Sequence, residues 1–380
     1  MNRLALALVF AAVAFAQPSP DAPKVLPDYR ITFRMNAPKA TEVLLRFGDG
    51  STKSYPMTKG KDGAWTVTIG PVEPEIYAYF FLIDGAKAID LANPNTKIGA
   101  TVSSSVVEVP GNPPRFDQVQ EVPHGSVNIH TYPSSVSETQ RGLYVYVPPD
   151  YYTQPAKRFP VLYLWHGGGG NEREWMHSGR ANVILDNLIA HRKAVPMIIA
   201  MPNNWPGFPA PGVLSAPAIM GRDGDIADNY PLLKRELREE IIPFVAKNYR
   251  TIENRESRAI AGLSGGAGTT MVAGMGSLDT FAWITEFGAG IFGGNPGRPQ
   301  HYDVEKIVPD FYKDPAATNK KLKLFYMSVG TEDPRLGPHK EAVKEFRELK
   351  INVTFVTFPG AHEWKVWRHS LADVAPKLFR

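Results

Sequence analysis

The sequence contains no cysteine. The chain therefore forms no disulfide and offers neither a thiol nucleophile nor a thiolate ligand for a metal. A strong charge imbalance is also missing, since 42 Lys and Arg residues stand against 38 Asp and Glu residues, with a net charge of +4 and no basic run. Nucleic-acid binding requires a concentrated basic face, so we do not predict a nucleic-acid partner.

Long apolar runs are absent beyond the N-terminus. Residues 1–16 combine Arg3, the run LALALVFAAVAFA and small residues at Ala14 and Ala16. This pattern is typical of a secretory signal peptide that is cleaved after Ala16. The run falls short of the roughly 20 residues of a membrane-spanning helix, although an uncleaved anchor remains the alternative. We predict a secreted or periplasmic protein without stable membrane insertion.

Residues 25–110 have the pattern of a small all-β domain. Apolar and polar residues alternate in ITFRM (31–35) and WTVTI (65–69), so one face of each segment is expected to face a core. Turn sequences such as GDGS and KGKDG separate the runs. Several short strands at this spacing predict a β-sandwich.

A change of pattern follows a proline-rich segment, which predicts a linker at 111–125 and a second domain at 126–380. In this domain, strand-like runs such as FPVLYLW (159–165) alternate with helical segments such as YPLLKRELREEIIPFVAKNY (230–249). This alternation predicts an α/β fold, in which helices cover both faces of a mostly parallel sheet. Such sheets carry their chemistry at the carboxyl ends of the strands.

The segment GLSGG (262–266) matches the pattern G-x-S-x-G. It follows a strand-like run and precedes a helix-compatible segment of small residues, which is the context of a turn that presents Ser264 as a nucleophile. Within residues 259–270, a dinucleotide fingerprint and a phosphate loop are excluded, because this window contains neither G-x-G-x-x-G nor a closing Gly-Lys-Ser/Thr. A structural turn with an incidental serine is the alternative.

A serine nucleophile needs a base and an acid that orients the base. His362 follows the strand-like run that ends in FPG, and Val366 in place of a second histidine excludes the zinc motif HExxH. The acid is expected between Ser264 and His362 along the chain. The segment VGTED offers both Glu332 and Asp333 there, and a solvated turn is the alternative for both residues.

The segment HGGGG (166–170) follows another strand-like run. Glycines allow a backbone N–H to approach a substrate carbonyl closely, so this segment is a candidate oxyanion-binding loop. The N–H of Gly265, directly after the nucleophile, would be the second donor. A purely structural glycine turn is the alternative.

The first domain resembles immunoglobulin-like early-set modules related to the family-48 carbohydrate-binding modules. The resemblance rests on APKATEV (37–43), DGAWTVTIGPV (62–72), YAYFFLIDG (77–85) and DLANPNTK (90–97). It implies an α-glucan-binding ancestry. The aromatic residues of these segments recur at strand spacing, which favours a packing role over sugar binding.

The second domain resembles the esterase D family of α/β-hydrolases, especially the feruloyl and acetylxylan esterases of carbohydrate esterase family 1. The matching segments include LYVYVPPDY (143–151), VLYLWHGGGG (161–170), RAIAGLSGG (258–266), VGTED (329–333) and GAHEWKVWR (360–368). The resemblance implies Ser264 as nucleophile, Asp333 as acid and His362 as base, with oxyanion donors at Gly168 and Gly265. It implies no metal and no cofactor.

Two features depart from this family. Gly265 replaces the usual Met or Gln, which predicts a roomier pocket. A proline-rich loop at 203–225 is longer than usual, and loops of this length often cover functional sites. Trp205, Trp364 and Trp367 could line an aromatic acyl pocket, but Trp364 and Trp367 could equally belong to the core.

The function predicted from these observations is hydrolysis of feruloyl esters on plant polysaccharides by a serine carboxylesterase. An acetylxylan esterase and an acyltransferase are alternatives on the same fold, and a non-catalytic glycan-binding protein is an alternative of another class. The partner expected is therefore an ester-bearing polysaccharide or oligosaccharide. The sequence does not determine the oligomeric state.

Overall fold

A computed structural model describes residues 21–49, 53–206, 210, 229–294 and 303–380. The predicted signal peptide and most of the predicted loop at 203–225 lie outside these residues. The chain divides into two compact units, and the first extends to Val109. Residues Pro74–Ile76 and Lys97–Ser103 lie within the sequence of the first unit but belong to the second.

The first unit is an all-β sandwich built from short strands. Two sheets share one core, in which the ring of Phe33 on one sheet lies 4.8 Å from that of Tyr79 on the other. Of the four aromatic residues to which the packing prediction applies, Trp65, Tyr79 and Phe81 are buried in this core, and Tyr77 is partly buried against it. The relation to family-48 carbohydrate-binding modules stays a prediction.

The strand order is β1-β2-β6-β5 in one sheet and β4-β3-β7-β10-β9 in the other, where β8 also pairs with β7. The strand bounds are β1 Lys24–Val25, β2 Ile31–Asn36, β3 Val43–Phe47, β4 Ser54–Pro56, β5 Thr58–Lys59, β6 Ala64–Ile69, β7 Ile76–Ile83, β8 Ala86–Ala88, β9 Thr96–Ile98 and β10 Val102–Glu108.

The second unit is built on an eight-stranded sheet with the order β11-β12-β14-β13-β15-β16-β17-β18. The strands β13 to β18 run parallel to one another, whereas β12 is antiparallel to both β11 and β14. The strand bounds are β11 Ser126–Ser134, β12 Thr139–Val147, β13 Val161–Trp165, β14 Ile198–Pro202, β15 Arg258–Leu263, β16 Trp283–Phe287, β17 Leu324–Gly330 and β18 Thr354–Phe358.

Helices cover this sheet, and two separate clusters of buried apolar residues fill its two faces. Within the described part of the chain, no helix is long and apolar enough to cross a membrane. The helix bounds are α1 Asp150–Thr153, α2 Glu174–His177, α3 Ala181–Ala190, α4 Tyr230–Glu236, α5 Ile242–Asn248, α6 Ser264–Met275, α7 Val304–Ile307, α8 Pro309–Lys313, α9 Pro315–Lys321, α10 Leu336–Glu348 and α11 Trp364–Val374.

The segment 230–249, predicted to be helical, contains a wider π-helical turn at Leu237–Ile241 between α4 and α5. Pro243 lies two residues beyond this turn, and a proline inside a helix removes one backbone hydrogen bond, which the wider turn accommodates. The buried positions consequently continue from Ile241 to Val245. Phe244, which precedes Val245, is only partly buried.

Residues 111–125, which the composition predicts to be a linker, belong to the second unit and pack on it. The side chain of Asn187 on α3 donates hydrogen bonds to the carbonyl oxygens of Phe116 and Gln118 at 2.9 and 2.8 Å. The side chain of Asp186 accepts one from the N–H of Gly125 at 2.9 Å. The segment forms neither a strand nor a helix, so its backbone polar groups can pair with side chains of the surface on which it packs.

Candidate active site

The carboxyl ends of β13, β15, β17 and β18 meet at one edge of the sheet, because these strands are parallel neighbours connected through β16. Each of them leads into one of the segments singled out in the sequence. The four segments are residues 166–170, 262–266, 329–333 and 360–364. The topology thus brings together side chains that are almost 200 residues apart in the chain.

Ser264 lies at the junction of β15 and α6 with a backbone φ of 52°. A positive φ is strained for any residue with a side chain, and such strain is typical of a serine held in a sharp strand-to-helix turn. We call residues 262–266 the serine turn. The helix α6 begins at Ser264, so the N–H of Gly265 lies in the first turn, where N–H groups lack helical partners.

Close packing requires glycine at both ends of the serine turn, at Gly262 and Gly266. A Cβ at Gly262 would lie 2.3 Å from the carbonyl oxygen of Gly266, and a Cβ at Gly266 would lie 2.2 Å from that of His166. The chain can therefore pass from strand to helix, and press against the end of β13, only without side chains at these positions.

His362 connects Ser264 to Asp333. Its Nε2 lies 2.8 Å from the Oγ of Ser264, and its Nδ1 lies 2.7 Å from the Oδ2 of Asp333. When the neutral imidazole carries its proton on Nδ1, it donates to Asp333 and accepts the hydroxyl proton of Ser264. This is the hydrogen-bonding order of a serine nucleophile with its base and acid.

Of the two carboxylates that the sequence left open, Asp333 faces His362, whereas Glu332 is exposed. The loops after β17 and β18 are held together by backbone hydrogen bonds from Thr331 to Phe358 at 2.8 Å and from Glu332 to Gly360 at 2.9 Å. These bonds set the register of the two loops and so bring Asp333 to the imidazole.

The charges at this end of the sheet favour an ionised acid and a neutral base. Burial alone would raise the pKa of Asp333, but the contact with His362 and the N–H and charge of Arg335 outweigh it, so this pKa lies below its usual value. Burial lowers the pKa of His362 below 6.5, and the positive charge of Arg335 lowers it further. His362 is therefore neutral at pH 7 and able to accept a proton.

Residues 166–170, which we call the glycine loop, lie against the serine turn. A Cβ at Gly167 would lie 3.1 Å from the Cβ of Ser264. The Nε2 of the buried His166 accepts a hydrogen bond from the N–H of Asn204 at 2.8 Å, so its proton lies on Nδ1 and is donated to the carbonyl of Gly167 at 2.8 Å. Burial lowers the pKa of His166 to about 4, which keeps the ring neutral.

The three tryptophans named from the sequence have different environments. Trp205 is half-buried, and its ring reaches within 3.9 Å of the position that a Cβ of Gly168 would occupy. Trp364 is buried between Trp175 and Trp367, with ring centroids 5.3 and 5.2 Å away. Trp367 packs edge-on against the ring of His362 at 4.9 Å. Trp364 and Trp367 thus both belong to the core, and Trp367 also adjoins the site, as Trp205 does.

Sequence reasoning missed several supporting residues. Arg335 binds Asp333, and its side chain is buried, yet a charged residue after a turn gives no distinguishing signal. Asn204 supports His166 and accepts a hydrogen bond from Thr269 on α6 at 2.7 Å. The described residues contain no group of three or more His, Asp or Glu side chains arranged to hold a metal.

Comparison with known proteins identifies the family. Residues 134–378 match the family described as "Putative esterase". The chain belongs to this esterase family. The match spans nearly the whole second unit and includes the serine turn, the glycine loop, Asp333 and His362.

Curated relatives of this chain are longer proteins. An endo-1,4-beta-xylanase/feruloyl esterase of Xylanibacter ruminicola is 28% identical over 371 residues, which are 96% of this chain and 47% of that protein. Endo-1,4-beta-xylanase Y of Acetivibrio thermocellus is 25% identical over 63% of this chain and 22% of its own length. The chain thus spans about half the length of the first relative and less of the second.

Solved structures show the same fold. A CE1 ferulic acid esterase from Anaeromyces mucronatus, in complex with ferulic acid, covers 70% of this chain and 94% of its own with a TM-score of 0.58 and 24% identity. The enterobactin esterase of Shigella flexneri covers 93% of this chain and 95% of its own with a TM-score of 0.66 and 14% identity. The second unit is therefore an α/β-hydrolase fold, as the resemblance implied.

Proposed function

We propose that the protein hydrolyses carboxylic esters through Ser264, His362 and Asp333, and that its substrates are feruloyl esters of plant polysaccharides. The single observation that carries the proposal is the hydrogen-bond chain from Ser264 Oγ through His362 to Asp333, with distances of 2.8 and 2.7 Å. Membership of the esterase family supports the reaction class. The Xylanibacter relative, whose name includes feruloyl esterase, supports the acyl group.

In the proposed mechanism, the Oγ of Ser264 attacks the ester carbonyl while His362 accepts the hydroxyl proton. Asp333 holds the imidazole in its orientation and stabilises the cation that forms. The oxyanion receives hydrogen bonds from the N–H groups of Gly168 and Gly265, and each such donor typically contributes about 3–4 kcal/mol to the transition state.

The tetrahedral intermediate then releases the alcohol, to which His362 returns the proton, and leaves an acyl group on Ser264. A water molecule attacks this acyl-enzyme, with His362 again accepting a proton. Collapse of the second intermediate yields the free acid and restores the hydroxyl of Ser264. Trp205, beside Gly168, is placed to contact an aromatic acyl group.

The test compares the full chain with its Ser264→Ala variant on methyl ferulate, acetylated xylan and a simple acetyl ester. Release of ferulate by the wild type, abolished in the variant, is the expected result. Preferential release of acetate would favour an acetylxylan esterase. Acyl transfer to a sugar that outpaces hydrolysis would favour an acyltransferase.

A wild type that is inactive on every ester but retained by xylan would favour the non-catalytic glycan-binding alternative. Full activity of Ser264→Ala would overturn the proposed mechanism, whatever the substrate.

A further inference from the structure

One segment of the second unit comes from within the sequence of the β-sandwich. Residues 97–103, which we call the strap, belong to the second unit by their contacts. The side chain of Asn171 donates a hydrogen bond to the carbonyl of Gly99 at 2.6 Å, and the N–H of Ala100 donates one to the carbonyl of Gly169 at 2.9 Å. The strap is thus bonded to the glycine loop itself and to the residue that follows it.

The contact is close enough to require a glycine in the strap. Gly99 is buried, and a Cβ at this position would lie 2.6 Å from the carbonyl oxygen of Gly169. Gly169 in turn has a φ of 73°, which favours glycine. Two backbones therefore meet here without side chains between them.

The strap bears on the proposed oxyanion donor through two peptide groups. The strap binds the carbonyl of Gly169. The peptide group that contains this carbonyl also contains the N–H of Gly170, which donates a hydrogen bond to the carbonyl of Gly167 at 3.3 Å. His166 binds this carbonyl as well. Because N–H and C=O point in opposite directions across a trans peptide, the N–H of Gly168 is directed away from His166 and Gly170.

Four consecutive glycines have no side chains to restrict their backbone. Gly168 and Gly169 are moreover exposed. The direction of the Gly168 N–H therefore depends on the partners of the neighbouring carbonyls, of which His166 supplies one and the strap the other.

We infer that the strap is a positioning element for ester hydrolysis, in which Gly99, Ala100 and Asn171 hold the glycine loop so that the Gly168 N–H meets the oxyanion. This inference rests on the proposed function of Gly168. The oxyanion forms only on the way to the tetrahedral intermediate. Displacing its N–H donor therefore costs transition-state stabilisation and leaves substrate binding nearly unchanged, so loss of the strap contacts should lower kcat.

The test uses the full chain and methyl ferulate, a small ester whose hydrolysis does not depend on glycan binding. Gly99→Ala places a methyl group against Gly169. Asn171→Asp removes the donor to Gly99 but keeps an acceptor for the N–H of Arg173, which Asn171 now binds at 3.0 Å. Gly337→Ala is the matched control, because a Cβ at this position on α10 meets nothing within 4 Å.

We expect both strap variants to lose roughly 10- to 100-fold in kcat, as misplacement of a donor by about 1 Å does, with KM changed less than about twofold. Both variants should lower the melting temperature, because Gly99→Ala overpacks a backbone contact and Asn171→Asp buries a carboxylate, so kcat is compared at a temperature at which every variant is folded. Gly337→Ala should keep its activity. The double variant should lose no more kcat than the less active of the two single variants, because both substitutions loosen the same contact.

A folded Asn171→Asp variant with wild-type kcat would overturn the inference, even if Gly99→Ala failed to fold. A rise in KM at constant kcat would overturn it too, since the strap would then serve substrate binding. Failure of the proposed function is a separate result, because it would show as an inactive wild type or an active Ser264→Ala variant.

Discussion

Ser264 and Gly168 follow two neighbouring strands, β15 and β13, and both lie in glycine-rich segments. The serine turn is held by its own strand and helix, and its flanking glycines allow close backbone packing. The glycine loop is instead held by residues far away in the chain, namely Ala100, which binds the carbonyl of Gly169, and Asn204, which binds His166 of the loop. The glycines of the serine turn thus allow close backbone packing. In the glycine loop, the absence of side chains means that hydrogen bonds to distant residues set the direction of the backbone.

The largest expected effect concerns the serine turn and separates its chemistry from its strain. Ser264→Ala and Ser264→Gly should both lose about 10⁴- to 10⁶-fold in kcat. Gly adopts a φ of 52° without the steric cost that Ala keeps. Ser264→Gly should therefore exceed Ser264→Ala by about 1 kcal/mol in the free energy of unfolding, measured in urea. Equal stability of the two variants would show that the turn stores no strain.

The next largest effect is expected from a substitution at the contact between the serine turn and the glycine loop. Gly266→Ala inserts a methyl group 2.2 Å from the carbonyl of His166. Such overpacking should cost about 3 kcal/mol of unfolding free energy and lower the activity together with the stability. Gly337→Ala, in open space, is again the control and should unfold at an unchanged urea concentration or a slightly higher one. Wild-type stability of Gly266→Ala would show that the two segments move apart freely.

The third prediction concerns the dependence of the free energy of unfolding on the protonation of His166 in the glycine loop. With its pKa lowered from 6.5 to about 4, His166 binds protons more weakly in the fold than in the unfolded chain. Its contribution to stability is complete above pH 6.5 and is lost as the pH falls towards 4. The loss amounts to roughly 3 kcal/mol. His166→Gln, which does not titrate, should show a shallower decline of unfolding free energy over this range. An unchanged decline would contradict the neutral, buried imidazole.

The smallest expected effect is a shift in the pH profile. Arg335 lowers the pKa of His362 by its positive charge, so Arg335→Gln should raise that pKa and move the acidic limb of kcat/KM to higher pH. The shift should stay below about one pH unit, because Arg335 is only one of the groups that act on the imidazole. Lys340→Gln, which removes the same charge from an exposed position on α10, should leave the limb in place. A shift towards lower pH in Arg335→Gln would contradict the assignment of the limb to His362.

The main features of the fold could be predicted from the sequence wherever periodicity was strong. The strands around Leu164 and Ile260 and the helical segment around Leu233 are where their apolar patterns predicted them. The bounds of the two units were less predictable, because residues 74–76, 97–103 and 111–125 have a composition typical of loops. Loop composition indicates neither the surface on which a segment packs nor the unit to which it belongs.

The candidate site was predictable to a similar degree. Ser264 and His362 stand out because each follows a strand-like run in a distinctive motif. Asp333 could not be separated from Glu332 by pattern alone, since adjacent residues of a turn differ only in where the loop points them. Backbone bonds between the loops after β17 and β18 decide that direction. The roles of all three residues stay predictions until the variants are measured.

The sequence by itself determined the order of strands and helices, the glycines of the serine turn and the set of reactive side chains, because these depend on residue type and local spacing. Only the tertiary structure decided which carboxylate faces His362, that Trp364 belongs to the core, and that Gly99 and Ala100 hold the glycine loop. Each of these depends on contacts between distant segments. The four glycines at 167–170 have no side chains that would restrict their backbone conformation. The orientation of their peptide groups is therefore set by hydrogen bonds to residues that the fold brings near them.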